Sequence, residues 1–344
     1  MEVEIAVAVS RHGRNCFFVD HERIPIMFDC SIQPGTAQPY PALSPDQIKR
    51  TKYLFLSHFH QDHPRVIPWL LKHGFQGDIV ATRETKRLMG LNLSQVFQID
   101  RLVPPKTAFV LEKGISVEWG RSGHCLGSIW FKIIIGQDRL IYSGDYIENS
   151  LIYQNDPIEG RWAEVAIIGD GQGHDHVQEN LFEVLRSPVA DRKPMLFPVP
   201  PFGCNLELVL DLATHFPRVP IYADKIMKQE FLRLASASEW IKPGVLEKLM
   251  EVSRNAGSVE NRGFGFYFIC DPHLKERKNQ ALAMRFLKSR QYVIFTDIIE
   301  PGSFSDSLHQ SGKTHLWYYA KNQKGQVMED LIKSNTFKQV IPIQ

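Results

Sequence analysis

Tyr53-Leu54-Phe55-Leu56-Ser57-His58-Phe59-His60-Gln61-Asp62-His63 decides how the rest of the chain is interpreted. The apolar run Tyr53–Leu56 has the length and composition of a buried strand, and the polar cluster begins where that strand would end. Three histidines and a carboxylate follow within six residues, a dense set of metal ligands. His58 and His60 alternate, so in an extended turn both point toward one ion. Asp62 and His63, past the bend, face a second. Imidazole together with carboxylate suits zinc or another borderline divalent metal.

Two weaker clusters lie downstream, each just after an expected strand. Gly123-His124-Cys125-Leu126-Gly127-Ser128 is a tight turn flanked by glycines, and Ser143-Gly144-Asp145-Tyr146 ends the run Leu140-Ile141-Tyr142. Alone, His124 is more often a structural hydrogen-bonder and Asp145 a turn residue. Three polar clusters at three strand ends favour one shared metal site.

The bulk composition is that of an ordinary globular protein. Of 344 residues, 43% are hydrophobic and 23% charged, and the formal net charge of +2 leaves any basic surface to be local. The five cysteines, Cys16, Cys30, Cys125, Cys204 and Cys270, form no CxxC pair, so reduced thiols and a metal site without cysteine are expected. No signal-like segment and no membrane-spanning apolar stretch stands out, which makes the cytoplasm the expected location.

Outward from the histidine stretch, residues 1–30 contain short apolar runs separated by Gly, Asn, His and Asp, and Ser44-Pro45-Asp46 has the form of a helix start. Val66 to His73 is an expected helix. Phe109–Leu111 and Ile115–Trp119 form an expected hairpin, followed by strands at Ser128–Ile135 and Leu140–Ser143. From about residue 178, helices alternate with strands at Met195–Val199, Ile221–Ala223, Gly265–Ile269 and Tyr292–Thr296. This texture is α/β with a largely parallel sheet, and it fits a unit inserted into the first.

The motifs His58-x-His60-x-Asp62-His63, Gly123-His124 and Ser143-Gly144-Asp145 resemble, in order and spacing, those of the metallo-β-lactamase superfamily. Further stretches resemble its β-CASP nuclease branch: Ser122–Ser128, Ile141–Asp145, Pro198-Val199-Pro200-Pro201-Phe202-Gly203 with Glu207-Leu208, Pro220–Asp224, and Val293–Thr296 with Pro301-Gly302-Ser303. The resemblance implies an α+β fold, the αββα sandwich of that superfamily with an inserted α/β β-CASP domain. Residues 1–177 would open the sandwich, 178–300 form the insert and 301–344 complete the sandwich. His58, His60 and His124 would hold one metal, Asp62 and His63 a second, and Asp145 would bridge. The implied cofactor is one or two zinc ions, the second held more weakly. The catalytic residues would be Asp62 and Asp170, the latter from Val165-Ala166-Ile167-Ile168-Gly169-Asp170.

The implied activity is metal-dependent hydrolysis of phosphodiesters in single-stranded nucleic acid, RNA ahead of DNA. A homodimer is a further expected partnership, and no membrane is expected. Departures from the family pattern keep two alternatives open. The position after Gly203 is Cys204 where the family has Arg, Asn322 stands where the family has a histidine, and the strand that precedes a final histidine in RNA-cleaving members here ends at Gln344. These favour a metal-binding scaffold or nucleic-acid-binding relative of reduced activity, while a small-ester hydrolase is opposed by the insert. The general acid has no assigned residue. His174 and His176 are further candidates for the site, and Arg121 and Lys321 for phosphate contacts.

Overall fold

The computed structural model describes residues 2–5, 16–22, 24–32, 39–59, 63–90, 95–169, 181–203, 205–319 and 326–343. The chain divides into two compact units, Met1–Gly173 with Lys324–Gln344, and His174–Gln323.

The first unit holds two six-stranded sheets. In one, β1 (Glu2–Ile5), β2 (Phe17–Asp20), β3 (Ile26–Phe28), β4 (Tyr53–Phe55), β5 (Asp78–Ala81) and β6 (Val96–Gln98) lie side by side in chain order. β1 to β3 pair antiparallel and β3 to β6 parallel. The other contains β7 (Phe109–Glu112), β8 (Ile115–Arg121), β9 (Ile129–Ile135), β10 (Asp138–Asp145), β11 (Trp162–Gly169) and the closing strand Thr336–Ile343, which pairs parallel with β11. Rings from both sheets interlock between them: Phe28 of β3 stacks on Phe55 of β4 at 5.3 Å and on Tyr142 of β10 at 4.6 Å, and Phe55 meets Phe131 of β9 edge-on at 5.2 Å. The period of two along a strand sends the neighbours Trp130 and Ile141 to the opposite face, where they share a core with Val327 and Leu331 of the helix Gln326–Ser334.

Local chemistry sets the connections. The helix Pro45–Arg50 starts with a reciprocal capping box: the Gln47 amide donates to the Ser44 hydroxyl, and the Ser44 amide to the Gln47 side chain. The hairpin from β7 to β8 turns at Lys113-Gly114. The helix His63–Lys72 buries Val66, Ile67 and Leu70, each burial contributing about 1.5–3 kcal/mol.

The second unit is a parallel sheet of β12 (Met195–Pro198), β13 (Ile221–Ala223), β14 (Gly257–Ser258), β15 (Phe266–Ile269), β16 (Tyr292–Phe295) and β17 (His315–Leu316), in the order β14-β13-β15-β12-β16-β17. Helices connect successive strands, among them Asn205–His215, Lys225–Ala235, Val245–Asn255 and Arg277–Lys288. On one face Leu196, Val293 and Phe295 pack against Ala283, Phe286 and Leu308. The second unit runs on to Gln323, past the expected boundary at residue 300. β17 pairs with β16, and Leu308 and Leu316 belong to the same core as Val293 and Phe295. The helix Val245–Asn255 and the two-residue β14 are not anticipated by the sequence reading, because Lys242-Pro243-Gly244 before them signals only a turn. Among the described residues no helix is long and apolar enough to cross a membrane.

Candidate metal centre

Three strand ends converge in the first unit. β4 runs in parallel register with β3 and β5, and Ser57 and His58 leave its carboxyl end. β8 ends at Arg121, and the turn Ser122–Ser128 carries His124. β10 ends on Asp145. His58 Nε2 lies 3.8 Å and His124 Nε2 3.4 Å from Asp145 Oδ2. The two imidazoles meet nearly perpendicular, their centroids 5.1 Å apart and their planes at 81°. One ligand atom from each of the three residues lies within 4.8 Å of the others. Both histidines are buried, while Asp145 keeps partial access to solvent.

A second layer fixes the His58 ring. Asp29, in the turn after β3, accepts from the Ser57 amide at 2.8 Å, from the Ser57 hydroxyl, and from the Tyr142 hydroxyl at 2.7 Å. Burial and the neighbouring Asp29 carboxylate push the Tyr142 phenol well above its ordinary pKa, so Tyr142 keeps its proton and acts as donor. The Ser57 hydroxyl has a single proton, which goes to Asp29. His58 Nδ1, 2.7 Å from the same hydroxyl, must therefore be the donor of their hydrogen bond. In the neutral ring this tautomer directs the Nε2 lone pair at Asp145, the orientation a metal ligand needs.

Two glycines permit the approach. A Cβ on Gly144, whose φ is +54°, would lie 2.5 Å from the Ser57 hydroxyl oxygen, and a Cβ on Gly123, at φ +75°, would lie 2.0 Å from the Ile147 carbonyl oxygen. The His124 turn is also braced from the helix Arg83–Met89. The Thr82 and Thr85 hydroxyls both donate to the Gly127 carbonyl, at 2.8 Å and 3.2 Å.

Of the expected site residues, the structure brings together His58, His124 and Asp145. His60, Asp62 and Asp170 lie outside the described residues, as do His174, His176, Cys204, Lys321, Asn322 and Gln344. His63 opens the helix His63–Lys72, but its side chain is likewise outside the description. Arg121 is engaged elsewhere: Nε pairs with Asp156 at 3.2 Å and Nη1 donates to Gln154. The sequence reading assigns no role to Asp29, Ser57 or Tyr142. An acidic residue ending the apolar run Ile24–Asp29, next to a strand that ends in metal ligands, is the signal that would have found Asp29.

The donor set fits a borderline divalent cation: two imidazole nitrogens, one of them oriented by a hydroxyl–carboxylate relay, and one carboxylate oxygen. Comparison with known proteins agrees. The family model of the metallo-beta-lactamase superfamily matches residues 9–198, a span that contains all three converging residues and the stretch before them. The chain belongs to the metallo-β-lactamase superfamily. Its relatives place it in the β-CASP branch that the motifs resemble. It is 27% identical over 246 residues to cleavage and polyadenylation specificity factor subunit 3-I of Arabidopsis thaliana, which covers 62% of this chain and 35% of that relative. It is 21% identical to transcription termination factor FttA of Cenarchaeum symbiosum, over 71% of this chain and 44% of the relative. To ribonuclease TTHA0252 of Thermus thermophilus it is 27% identical, over 54% of this chain and 49% of the relative. The chain thus spans less than half the length of these curated relatives. A crystal structure of a protein of unknown function from Enterococcus faecalis V583 shares the fold, with a TM-score of 0.61 at 14% identity, over 99% of this chain and 93% of that one. Family and site together support metal-dependent hydrolysis as the class of activity.

Proposed function

We propose that the protein hydrolyses phosphodiester bonds of single-stranded nucleic acid, RNA in preference to DNA, at a zinc site built on His58, His124 and Asp145. The observation that carries this is the convergence of those three residues, with His58 Nδ1 engaged by Ser57 and Nε2 facing Asp145. His60, Asp62 and His63 complete the ligand set by resemblance to the family, giving room for a second ion. The nucleic-acid substrate is supported by relatives whose names denote a ribonuclease and a cleavage factor.

Bound there, a divalent ion supplies a Lewis acid and activates water near neutral pH. The protein's own residues hold the geometry. Asp145 presents one oxygen to both imidazoles, so its carboxylate can draw two ligand sets to one point. The histidine pair is buried, while Asp145 keeps partial access to solvent. Asp62 and Asp170 are the carboxylates proposed to orient the attacking water and hold its proton.

A scaffold role is the second reading, and Cys204 and Asn322 favour it, since by resemblance the family carries an Arg and a histidine at those places. Turnover on labelled single-stranded RNA and DNA, with bound metal quantified in parallel, separates the two. The proposed function requires metal-dependent cleavage that Asp62→Ala abolishes. Metal bound without cleavage of either polymer selects the scaffold, and cleavage that survives in Asp62→Ala rules out the proposed ligand set.

A further inference from the structure

The helix that begins at His63 carries an unusual surface on its outer side. Trp69 contacts two rings: Tyr40 stacks on it at 4.9 Å with planes only 9° apart, and His73 of the same helix lies 4.5 Å away, tilted by 35°. His73 is fixed by a 2.7 Å hydrogen bond between Nδ1 and the Trp69 carbonyl oxygen. The ladder is displayed rather than buried, for Tyr40 is 41% exposed and His73 is exposed as well. Its base is rigid, since Val66, Ile67 and Leu70 of the same helix are fully buried.

The two segments that supply the rings carry no acid: no carboxylate occurs between Asp29 and Asp46, or between Asp62 and Asp78. Lys72 is exposed next to His73, and the exposed Lys49 lays its stem across Gly74, its Cγ 3.0 Å from where a Cβ would stand. Among the described residues neither lysine enters an ion pair, whereas the nearby Arg50 is taken by Asp20 and Asp46. Stacked exposed rings beside uncompensated ammonium groups match the two needs of a single nucleic-acid strand, a π-face for the base and cations for the phosphates. A protein partner of ordinary surface would bring no reason for the missing acids.

We propose that the Tyr40–Trp69–His73 ladder is a base-stacking subsite for single-stranded nucleic acid, with one base on the Tyr40 ring and the flanking phosphates at Lys49 and Lys72. This rests on the phosphodiesterase reading for its biological use. Trp69 is six residues beyond His63, about 9 Å along the helix axis, so one rigid element would relate the stacked base to the metal motif.

The test is equilibrium binding, measured by fluorescence anisotropy in chelator so that nothing is cut, with a short labelled oligoadenylate and an abasic oligomer of equal length. Tyr40→Ala is expected to weaken oligoadenylate binding about tenfold, with little change for the abasic oligomer. Tyr40→Phe, which keeps the ring, should bind like the wild type. Lys49→Gln and Lys72→Gln should each lower the slope of log affinity against log salt by about 0.7. Near-UV circular dichroism verifies that the variants are folded. Oligoadenylate binding that is absent in the wild type, unchanged in folded Tyr40→Ala, or lost equally for both oligomers overturns the subsite. Should the wild type cut no nucleic acid yet bind in a Tyr40-dependent way, the phosphodiesterase reading fails and the subsite stands. Cleavage with Tyr40-independent binding gives the reverse.

Discussion

The two units bury acidic side chains to opposite ends. In the first, Asp145 leaves β10 with one oxygen facing two imidazole nitrogens, and Asp29 behind them gathers three donors that aim one of those imidazoles. In the second, the buried Glu230 and Asp271 and the half-buried Asp224 are taken up by amide donors. Glu230 accepts from the Phe202 amide at 2.9 Å and from Asn205 at 2.7 Å. Asp224 accepts from the Met227 and Cys270 amides, and Asp271 from the Lys275 and Glu276 amides and from Asn279. A carboxylate whose oxygens are filled by amides holds a turn in place. One whose oxygen faces two imidazole nitrogens is placed to share a cation with them. Acidic residues alone therefore do not mark a site; what faces them does.

The sharpest way to break this contrast is to remove a converging ligand. His124→Ala or Asp145→Asn is expected to abolish stoichiometric zinc binding and to reduce hydrolysis by orders of magnitude, read by metal analysis and initial rates. Asp271→Asn should leave zinc content unchanged, since that carboxylate only holds a loop. Next in size is the relay. Ser57→Ala removes the hydroxyl that sets the His58 tautomer and should weaken metal affinity about 10–100-fold, measured by competition with a chelating dye.

Gly144→Ala tests the close approach behind the site. Its Cβ would meet the Ser57 side chain at 2.5–2.6 Å in left-handed backbone, so a stability loss of about 1–3 kcal/mol is expected in urea unfolding. The prediction with the least bearing on the metal centre concerns the second unit and has a definite sign. Burial pushes the Glu230 carboxyl up to about 8 from an ordinary 4.5, opposed by Asn205 and by Arg233. The native state then retains a proton that the unfolded chain releases, so stability falls as pH rises from 4.5 to about 8 and levels off above it. Glu230→Gln, which cannot ionise, should flatten that part of the profile, so that its stability relative to the wild type rises from pH 4.5 to about 8.

Much of this contrast was legible in the chain itself. The Ser44 cap with Pro45, the hairpin around Lys113-Gly114 and the parallel texture of the second unit depend on neighbours in sequence, and all appear in the structure. His58, His124 and Asp145 could be singled out because each follows an apolar run, and a strand end is where a side chain can leave the sheet for a shared point. The relay was not legible, because Asp29 reaches Ser57 only through the parallel pairing of β3 with β4, and Tyr142 only across the sandwich. The closeness of Cys16 and Cys30, whose sulfurs lie 2.9 Å apart, is likewise a product of strand pairing and not of spacing.

The most direct test of the central claim is a zinc titration of the demetallated protein, with the rate of single-stranded RNA cleavage followed at each point and His124→Ala carried in parallel. The account predicts cleavage that rises with bound zinc in the wild type, while the variant neither retains the metal nor cuts. Cleavage by the demetallated protein, or equal cleavage by folded His124→Ala, would contradict it.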